Sequence, residues 1–97
     1  MTAFIPKVEF NLVSDPSHGW LLVPEPWIFA SCLEPTSFTS FSYVNARHIY
    51  ALEEDLDAPK FIQAFETRFN QPCVIKEVNV DVCPIRNWRR LISTQAA

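Results

Sequence analysis

Apolar and polar residues alternate near the start of the chain, which is the pattern of half-buried β-strands. Within residues 7–13 every second residue from Val8 to Leu12 is apolar, and these side chains share one face of an extended chain. An apolar run at residues 20–23 follows the turn-forming sequence at residues 14–19. The two runs predict a β-hairpin, and Gly19, the only glycine, is expected to adopt a positive φ there.

A short helix and a second hairpin are predicted next. Prolines end the second strand, and a proline is tolerated in the first turn of a helix because its missing N–H would be unpaired there. A short buried helix is therefore predicted at residues 27–33, with Pro35 ending it. Residues 40–44 and 47–53 then predict a hairpin that turns at residues 45–46.

An amphipathic helix ending near residue 69 is the clearest element of the sequence. Its apolar residues fall at helical spacing: Ala58, Phe61, Ile62, Phe65 and Phe69. Asp57 is predicted to be its N-cap, because a carboxylate there accepts free N–H groups of the first turn. Asn70 is expected to end the helix. A last strand at residues 73–81 and a basic, aromatic segment at residues 85–91 complete the chain.

The order ββαββαβ predicts an α+β fold: a mostly antiparallel sheet of about five strands with two helices packed on one face. The 97 residues suit a single domain over 1–97, with flexible ends at 1–6 and 92–97. Hydrophobic residues make up 48% of the chain, which favours a packed core over disorder. Neither a signal peptide nor the roughly 20 apolar residues of a membrane span is found, so a cytoplasmic protein with no membrane partner is predicted.

Charge and cysteine content narrow the function classes. The net charge of −3 is too small for a general DNA mimic and has the wrong sign for a nucleic-acid binder. The spacings of Cys32, Cys73 and Cys83 match neither a zinc site nor a disulfide framework. These cysteines are interpreted as reduced, mostly buried thiols, and no cofactor is predicted.

An acidic turn holds the densest group of candidate functional side chains. Glu53, Glu54, Asp55 and Asp57 supply four of the eleven carboxylates. Such oxygens can bind a divalent ion, and two close carboxylates can divide acid and base roles, although the spacing fails the EF-hand pattern. The pattern favours solvated residues beside a helix N-terminus, and an acidic surface for a protein partner or a metal site stays open.

Asp15 and His18 form a second candidate, since an imidazole and a carboxylate in one turn can act as an acid–base pair. A histidine in a tight hairpin more often caps the turn or packs beside the next aromatic residue, here Trp20. No serine or cysteine lies in a nucleophile motif, and a role for Cys32 or Cys83 beside a distant histidine stays open.

A third candidate is the basic segment with Arg86, Trp88, Arg89 and Arg90. Guanidinium groups and an indole can stack on bases or hold phosphates. Because the rest of the chain is acidic, we expect this segment first to pair with the acidic turn or to form a protein-binding edge. Nucleic-acid binding is the second interpretation.

Short motifs are spread over most of the chain from residue 15 to residue 88. They are DPSHGW (15–20), LVP (22–24), FSY (41–43), YALEEDLDAPKF (50–61) and IRNW (85–88). Together they resemble a family of small uncharacterised proteins of phages, prophages and plasmids, with an HGW turn, an SY pair, a tyrosine followed by LEED, and a late IR. This chain departs from that pattern with Ala51 inserted and Leu56 where a cysteine is common. The resemblance implies no activity, only a small accessory protein of a mobile element acting inside a bacterium.

The leading hypothesis is a non-enzymatic interaction protein of a phage or mobile element, such as an anti-CRISPR-like inhibitor of a host defence system. Its partner would be a host protein, for instance a nucleic-acid-binding defence complex, whose surface it occludes. The contact residues predicted for this role are Glu53, Glu54 and Asp55, with Tyr43, Tyr50 or Trp88 as anchors.

Two other functions and one assembly stay open. The first is a small metal-dependent or acid–base enzyme that uses Asp15, His18 and the acidic turn. The second is a weak nucleic-acid binder that uses Arg86, Arg89 and Arg90. The exposed edge of the strand at residues 73–81 can also pair two copies into a homodimer.

Overall fold

The computed structural model describes residues 8–91. Its strands are β1 (Glu9–Ser14), β2 (Gly19–Pro24), β3 (Tyr43–Val44), β4 (Ile49–Glu53), β5 (Val74–Asn79) and β6 (Arg89–Arg90), and its helices are α1 (Glu25–Ala30) and α2 (Asp57–Phe69). Short 3-10 turns lie at Pro35–Ser37 and Pro84–Asn87. The predicted flexible ends, 1–6 and 92–97, and Lys7 of the first predicted strand lie outside the described residues.

The strands form one mixed sheet in the order β5-β1-β2-β4-β3-β6. Every neighbouring pair is antiparallel except β1 and β5, which are parallel. The α+β prediction is confirmed, with six strands instead of about five because Arg89–Arg90 pairs with Tyr43–Val44 at the far edge. No helix within residues 8–91 is long and apolar enough to cross a membrane.

Both helices pack on one face of the sheet. β4 and β5 run in the same direction, and α2 connects them across β2 and β1. On α2, Phe61 and Phe65 are buried, and the centroids of their rings lie 5.2 and 5.6 Å from that of Phe10 in edge-to-face contact. We call this packing the helix-side core. It also contains Leu21, Val23, Ile28, Phe38, Val44, Tyr50, Leu52 and Ala58.

The opposite face is covered by the segment that follows β5. Because β5 and β6 lie at opposite edges of the sheet, residues 80–88 between them cross its whole width. We call these residues the strap. Cys83 and Ile85 of the strap are buried against Trp20 and Ala51 of the sheet. The sequence predicted helices on one face and did not predict that the other face is covered as well.

Two predicted details are wrong. The N-cap of α2 is Leu56, and Asp57 is a buried residue of the first turn that makes no capping hydrogen bond. Gly19 does not have a positive φ. A Cβ atom at Gly19 would lie 2.8 Å from Oε2 of Glu54, so the glycine permits the close approach of that carboxylate.

Helix ends and thiols also differ from the predictions. α1 begins two residues before Trp27, and it ends where Cys32 adopts a left-handed conformation with φ 64°. α2 ends as predicted at a left-handed Asn70, whose N–H donates to the carbonyl of Glu66. The three cysteines are free thiols, but only Cys83 is buried, so the prediction of mostly buried cysteines is wrong.

Candidate functional site

A cavity of about 470 Å³ opens on the strap side of the sheet. We call it the strap-side pocket. Six of its lining residues are among those singled out from the sequence: His18, Tyr43, Glu53, Asp55, Arg86 and Arg90. The first turn, the acidic turn and the basic segment, which are far apart along the chain, therefore meet at one place.

Strand register explains why these side chains share a face. Trp20 of β2 lies directly opposite Glu53 of β4, and Tyr43 of β3 lies opposite Arg90 of β6. Residues opposite each other on neighbouring strands point to the same side of a sheet. The strap then adds Arg86 above this row, so the pocket needs four strands and the strap to form.

Asp15 fixes the strap to the first hairpin. Its Oδ2 accepts hydrogen bonds from Nη1 of Arg86 at 2.6 Å and from the backbone N–H of Cys83 at 3.2 Å. Its Oδ1 accepts the backbone N–H groups of Ser17 and His18. The Arg86 guanidinium, together with these N–H donors, holds the pKa of Asp15 well below its usual range, and the carboxylate raises the pKa of Arg86.

Two guanidinium groups lie over aromatic rings in the pocket wall. The Cζ atom of Arg86 lies 5.1 Å from the ring centroid of Trp20, and that of Arg90 lies 5.3 Å from the ring centroid of Tyr43. Nη1 of Arg90 also donates to the carbonyl of Ser40 at 2.5 Å. Each arginine is thus held by an aromatic ring and by a hydrogen bond, Arg86 to Asp15 and Arg90 to the carbonyl of Ser40.

The acidic turn is held by its own first carboxylate. Oε2 of Glu53 accepts the N–H of Asp55 at 3.0 Å, and Oε1 accepts the N–H of Leu56 at 2.9 Å. Glu54 turns away from the pocket to lie against Gly19. Of the predicted acidic residues, Glu53 and Asp55 therefore line the pocket, and Asp55 is exposed.

Asp57 positions the loop at residues 39–42. Its carboxylate accepts hydrogen bonds from the N–H and Oγ1 of Thr39 and a very short one from Oγ of Ser42. On the other side of this loop, the N–H of Leu91 donates to the carbonyl of Ser42 at 2.9 Å. The loop is thus held at both sides, and it presents Phe41 at the pocket with 56% of the residue exposed.

Tyr50, Trp88 and Arg89 lie elsewhere. Tyr50 is buried and donates to Oε2 of Glu25 at 2.8 Å, which removes it from the candidate contact residues. Burial and the Glu25 carboxylate raise the pKa of Tyr50 well above its usual value. Trp88 and Arg89 line a separate cleft beside the turn between β3 and β4.

The predicted pairing partners also differ. Arg86 pairs with Asp15 and not with the acidic turn, within the described residues. Asp15 bonds to the backbone of His18 and to Arg86, so its carboxylate is already engaged and does not orient the imidazole. The ring of His18 lies 5.9 Å from that of Trp20, as in the packing alternative for this histidine.

Three pocket residues were missed by sequence reasoning: Trp20, Phe41 and Leu56. Leu56 follows the acidic run directly and Phe41 opens the FSY motif, so an apolar residue beside a candidate motif was the available signal. Trp20 is only 3% exposed, and its indole N–H is buried without an acceptor among the described residues. Such an unmet donor is uncommon in a folded protein.

Among residues 8–91, no three His, Cys, Asp or Glu side chains are arranged to hold a metal ion. Burial and the Glu66 carboxylate raise the pKa of Cys73 to about 11, so this thiol is protonated at neutral pH.

No protein-family model, no curated protein and no solved structure matches the chain.

Proposed function

We propose that the chain is a non-enzymatic interaction protein of a phage or mobile element that binds a bacterial host protein and occludes its surface. The observation that carries this proposal is the composition of the strap-side pocket. Exposed Phe41 and Leu56 lie beside the carboxylates of Glu53 and Asp55. Exposed aromatic side chains are enriched at protein-binding sites, and polar or charged groups form the rim around them.

The apolar residues supply the first support. Phe41 is held outward by a loop that Asp57 and the β6 edge fix, so its exposure does not come from a loose segment. Leu56 is 55% exposed beside it. When a partner buries exposed apolar side chains, the free energy of the complex is lowered by roughly 25 cal/mol for each Å² of apolar surface removed from water.

The carboxylates supply the second support. Within the described residues, neither Glu53 nor Asp55 forms an ion pair. Unpaired acidic groups steer a basic partner toward the pocket and discriminate against acidic ones. A host defence complex that binds nucleic acid has such a basic surface, and occluding it would inhibit the complex in the manner of an anti-CRISPR protein.

Affinity capture from bacterial host lysate tests this proposal. The wild-type chain is compared with Phe41→Ala, with Asp55→Lys and with Glu77→Lys, a matched charge reversal on exposed β5. We expect one partner to be captured by the wild type and by the β5 variant, and to be lost with the two pocket variants. Recovery of no specific partner, or equal recovery by all four chains, contradicts the proposal.

One observation favours a second candidate. His18, Glu53 and Asp55 line the same pocket, which is the convergence that a small acid–base enzyme requires. For this candidate, a panel of hydrolysable substrates would show turnover that is lost in His18→Asn and kept in His48→Asn, since His48 is a comparably exposed histidine outside the pocket. Turnover that survives at His18→Asn would exclude it.

A further inference from the structure

We propose that the strap-side pocket recognises an arginine side chain of its protein partner. The guanidinium group meets the carboxylates of Glu53 and Asp55, and the aliphatic stem packs along Phe41 and Leu56. This inference rests on the proposed function, because it names the group by which the partner is bound.

The charges of the pocket favour a cation. Arg86 is neutralised by Asp15 through two hydrogen bonds of 2.6 and 3.3 Å. Arg90 is then the remaining cation of the lining, and it stands against two carboxylates, Glu53 and Asp55, that have no ion-pair partner within residues 8–91. When Asp15, which lies outside the lining, is counted with its partner Arg86, the charged groups at the pocket therefore have a net negative charge.

A second, independent observation concerns Trp20. This residue forms part of the pocket wall and is only 3% exposed. Its indole N–H has no acceptor in the described part of the chain. The indole nitrogen is itself buried, so an acceptor would reach it only after a shift of the pocket wall, and a ligand that carries both an acceptor and a cation suits this pocket best. A peptide arginine has both, since its backbone carbonyl accepts and its side chain donates, whereas a metal ion or a polyamine offers no acceptor.

The aromatic residues favour a guanidinium group over an ammonium group. In this pocket guanidinium groups already lie over the rings of Trp20 and Tyr43, at 5.1 and 5.3 Å. Phe41 provides a further ring whose surface is exposed. A planar guanidinium can lie on that ring and donate two parallel hydrogen bonds to a carboxylate, which the compact, strongly hydrated ammonium of lysine cannot do.

The existing bonds leave room for such donors. Each oxygen of Glu53 accepts one backbone N–H, at 3.0 and 2.9 Å, and an ionised carboxylate oxygen has two lone pairs. These N–H donors also hold the carboxylate in place before the partner arrives. An arginine would therefore meet a preorganised acceptor, which lowers the entropic cost of binding.

A solution NMR titration of the whole, isotope-labelled chain tests the inference. The probes are N-acetyl-arginine amide, its neutral isostere N-acetyl-citrulline amide, and N-acetyl-lysine amide. We expect the arginine probe to shift the backbone amides of residues 53–56 and the indole N–H of Trp20, and the other two probes to bind at least roughly tenfold more weakly, as for the loss of a charged hydrogen bond.

Variants separate the pocket from general charge effects. Asp55→Asn removes an exposed carboxylate whose side chain makes no hydrogen bond in the described chain, so the fold is expected to persist, and arginine binding should fall roughly tenfold. Glu77→Gln on β5 changes the net charge equally and should leave binding unchanged. Equal binding of citrulline, equal effects of both variants, or no shift at residues 53–56 would overturn the inference.

The two proposals fail in different ways. If Asp55→Lys loses a captured host partner but the arginine probe does not bind the pocket, the arginine inference is wrong and the interaction function stands. If the arginine probe binds the pocket and no host partner is captured, the interaction function is contradicted and the arginine site stands.

Discussion

The two faces of the sheet differ in what covers them: α1 and α2 pack on one face, and the strap crosses the other. On the helix side, the ring centroids of Phe10, Phe61 and Phe65 lie 5.2 to 5.8 Å apart, within a buried hydrophobic cluster of eleven residues. On the strap side, the buried hydrophobic cluster is smaller, and an ion pair between Asp15 and Arg86 holds the strap in place.

The difference indicates a division of roles. Close packing of apolar side chains is the main source of folding free energy, so the helix-side core is expected to determine stability. On the strap side, exposed Phe41 and Leu56 line the same cavity as Glu53 and Asp55, which form no ion pair within the described residues, and this combination adds little to stability and suits binding. Substitutions on the two faces should therefore have separable effects.

The largest effect is expected from truncation in the helix-side core. Phe61→Ala removes a fully buried ring and should lower the free energy of unfolding by about 3–5 kcal/mol, measured by urea denaturation. The same change at exposed Phe41 should cost less than about 0.5 kcal/mol. Similar losses at both positions would contradict the division between the faces.

The next largest effect is expected at Asp57, which connects the first turn of α2 to the loop at residues 39–42. Asp57→Asn weakens the acceptor for Thr39 and Ser42, and should cost about 2 kcal/mol because hydrogen bonds to a buried charged group are lost. It should also release the loop that carries Phe41 and so weaken partner binding. Asp55→Asn, the exposed control, should leave the urea midpoint unchanged, and a matching loss there would refute this role for Asp57.

A smaller, pH-dependent effect is expected from the strap. The pKa of Asp15 is lowered in the folded state, so the ionised carboxylate stabilises the fold above the unfolded pKa of about 3.9, and this contribution is lost as the pH falls below it. The difference in urea midpoint between the wild type and Asp15→Asn should be largest at neutral pH and should shrink below about pH 4. Asp81→Asn, an exposed strap residue, is the control, and a difference for Asp15→Asn that is constant with pH would count against the ion pair.

The smallest effect should be a gain on the helix side. Cys32 holds a left-handed conformation with φ 64°, which costs an ordinary residue roughly 1 kcal/mol and glycine almost nothing. Glycine also increases the conformational entropy of the unfolded chain, which offsets part of this gain. Cys32→Gly should therefore raise the free energy of unfolding by about 0.5 kcal/mol. Cys32→Ala keeps the Cβ atom and should be neutral, so an equal gain from both changes would exclude this cause.

Periodic patterns explain why most of the fold was predictable. Alternation in β1 and the helical spacing of Phe61 and Phe65 each depend on one face being buried, and that burial is visible in a single segment of sequence. β6 has only two residues, Arg89 and Arg90, which carry no apolar pattern, so it was missed. Its pairing depends on the strap, which sequence periodicity does not encode.

The phenylalanines at positions 38 and 41 show where local sequence stops being informative. Each follows a serine, yet Phe38 is buried in the helix-side core and Phe41 is exposed at the pocket. Thr39 between them donates to the carboxylate of Asp57, which lies far along the chain, so the path of this loop depends on a contact that the local sequence does not reveal. The same residue was predicted to be a cap, because its acceptor role is common and its distant partners could not be known.

The strap also has a consequence for the order in which the molecule is made. The elements β1, β2, β4 and α2 leave the ribosome before residues 80–90 do, so the aromatic packing on one face can form while the other face is still uncovered. Arg86 and Arg90, which line the pocket, belong to the last segments of the described chain to emerge. We expect a nascent chain with only the residues up to 79 outside the ribosome to resist protease at α2 and not to bind the proposed partner, because the strap and Arg90 are still missing from the pocket.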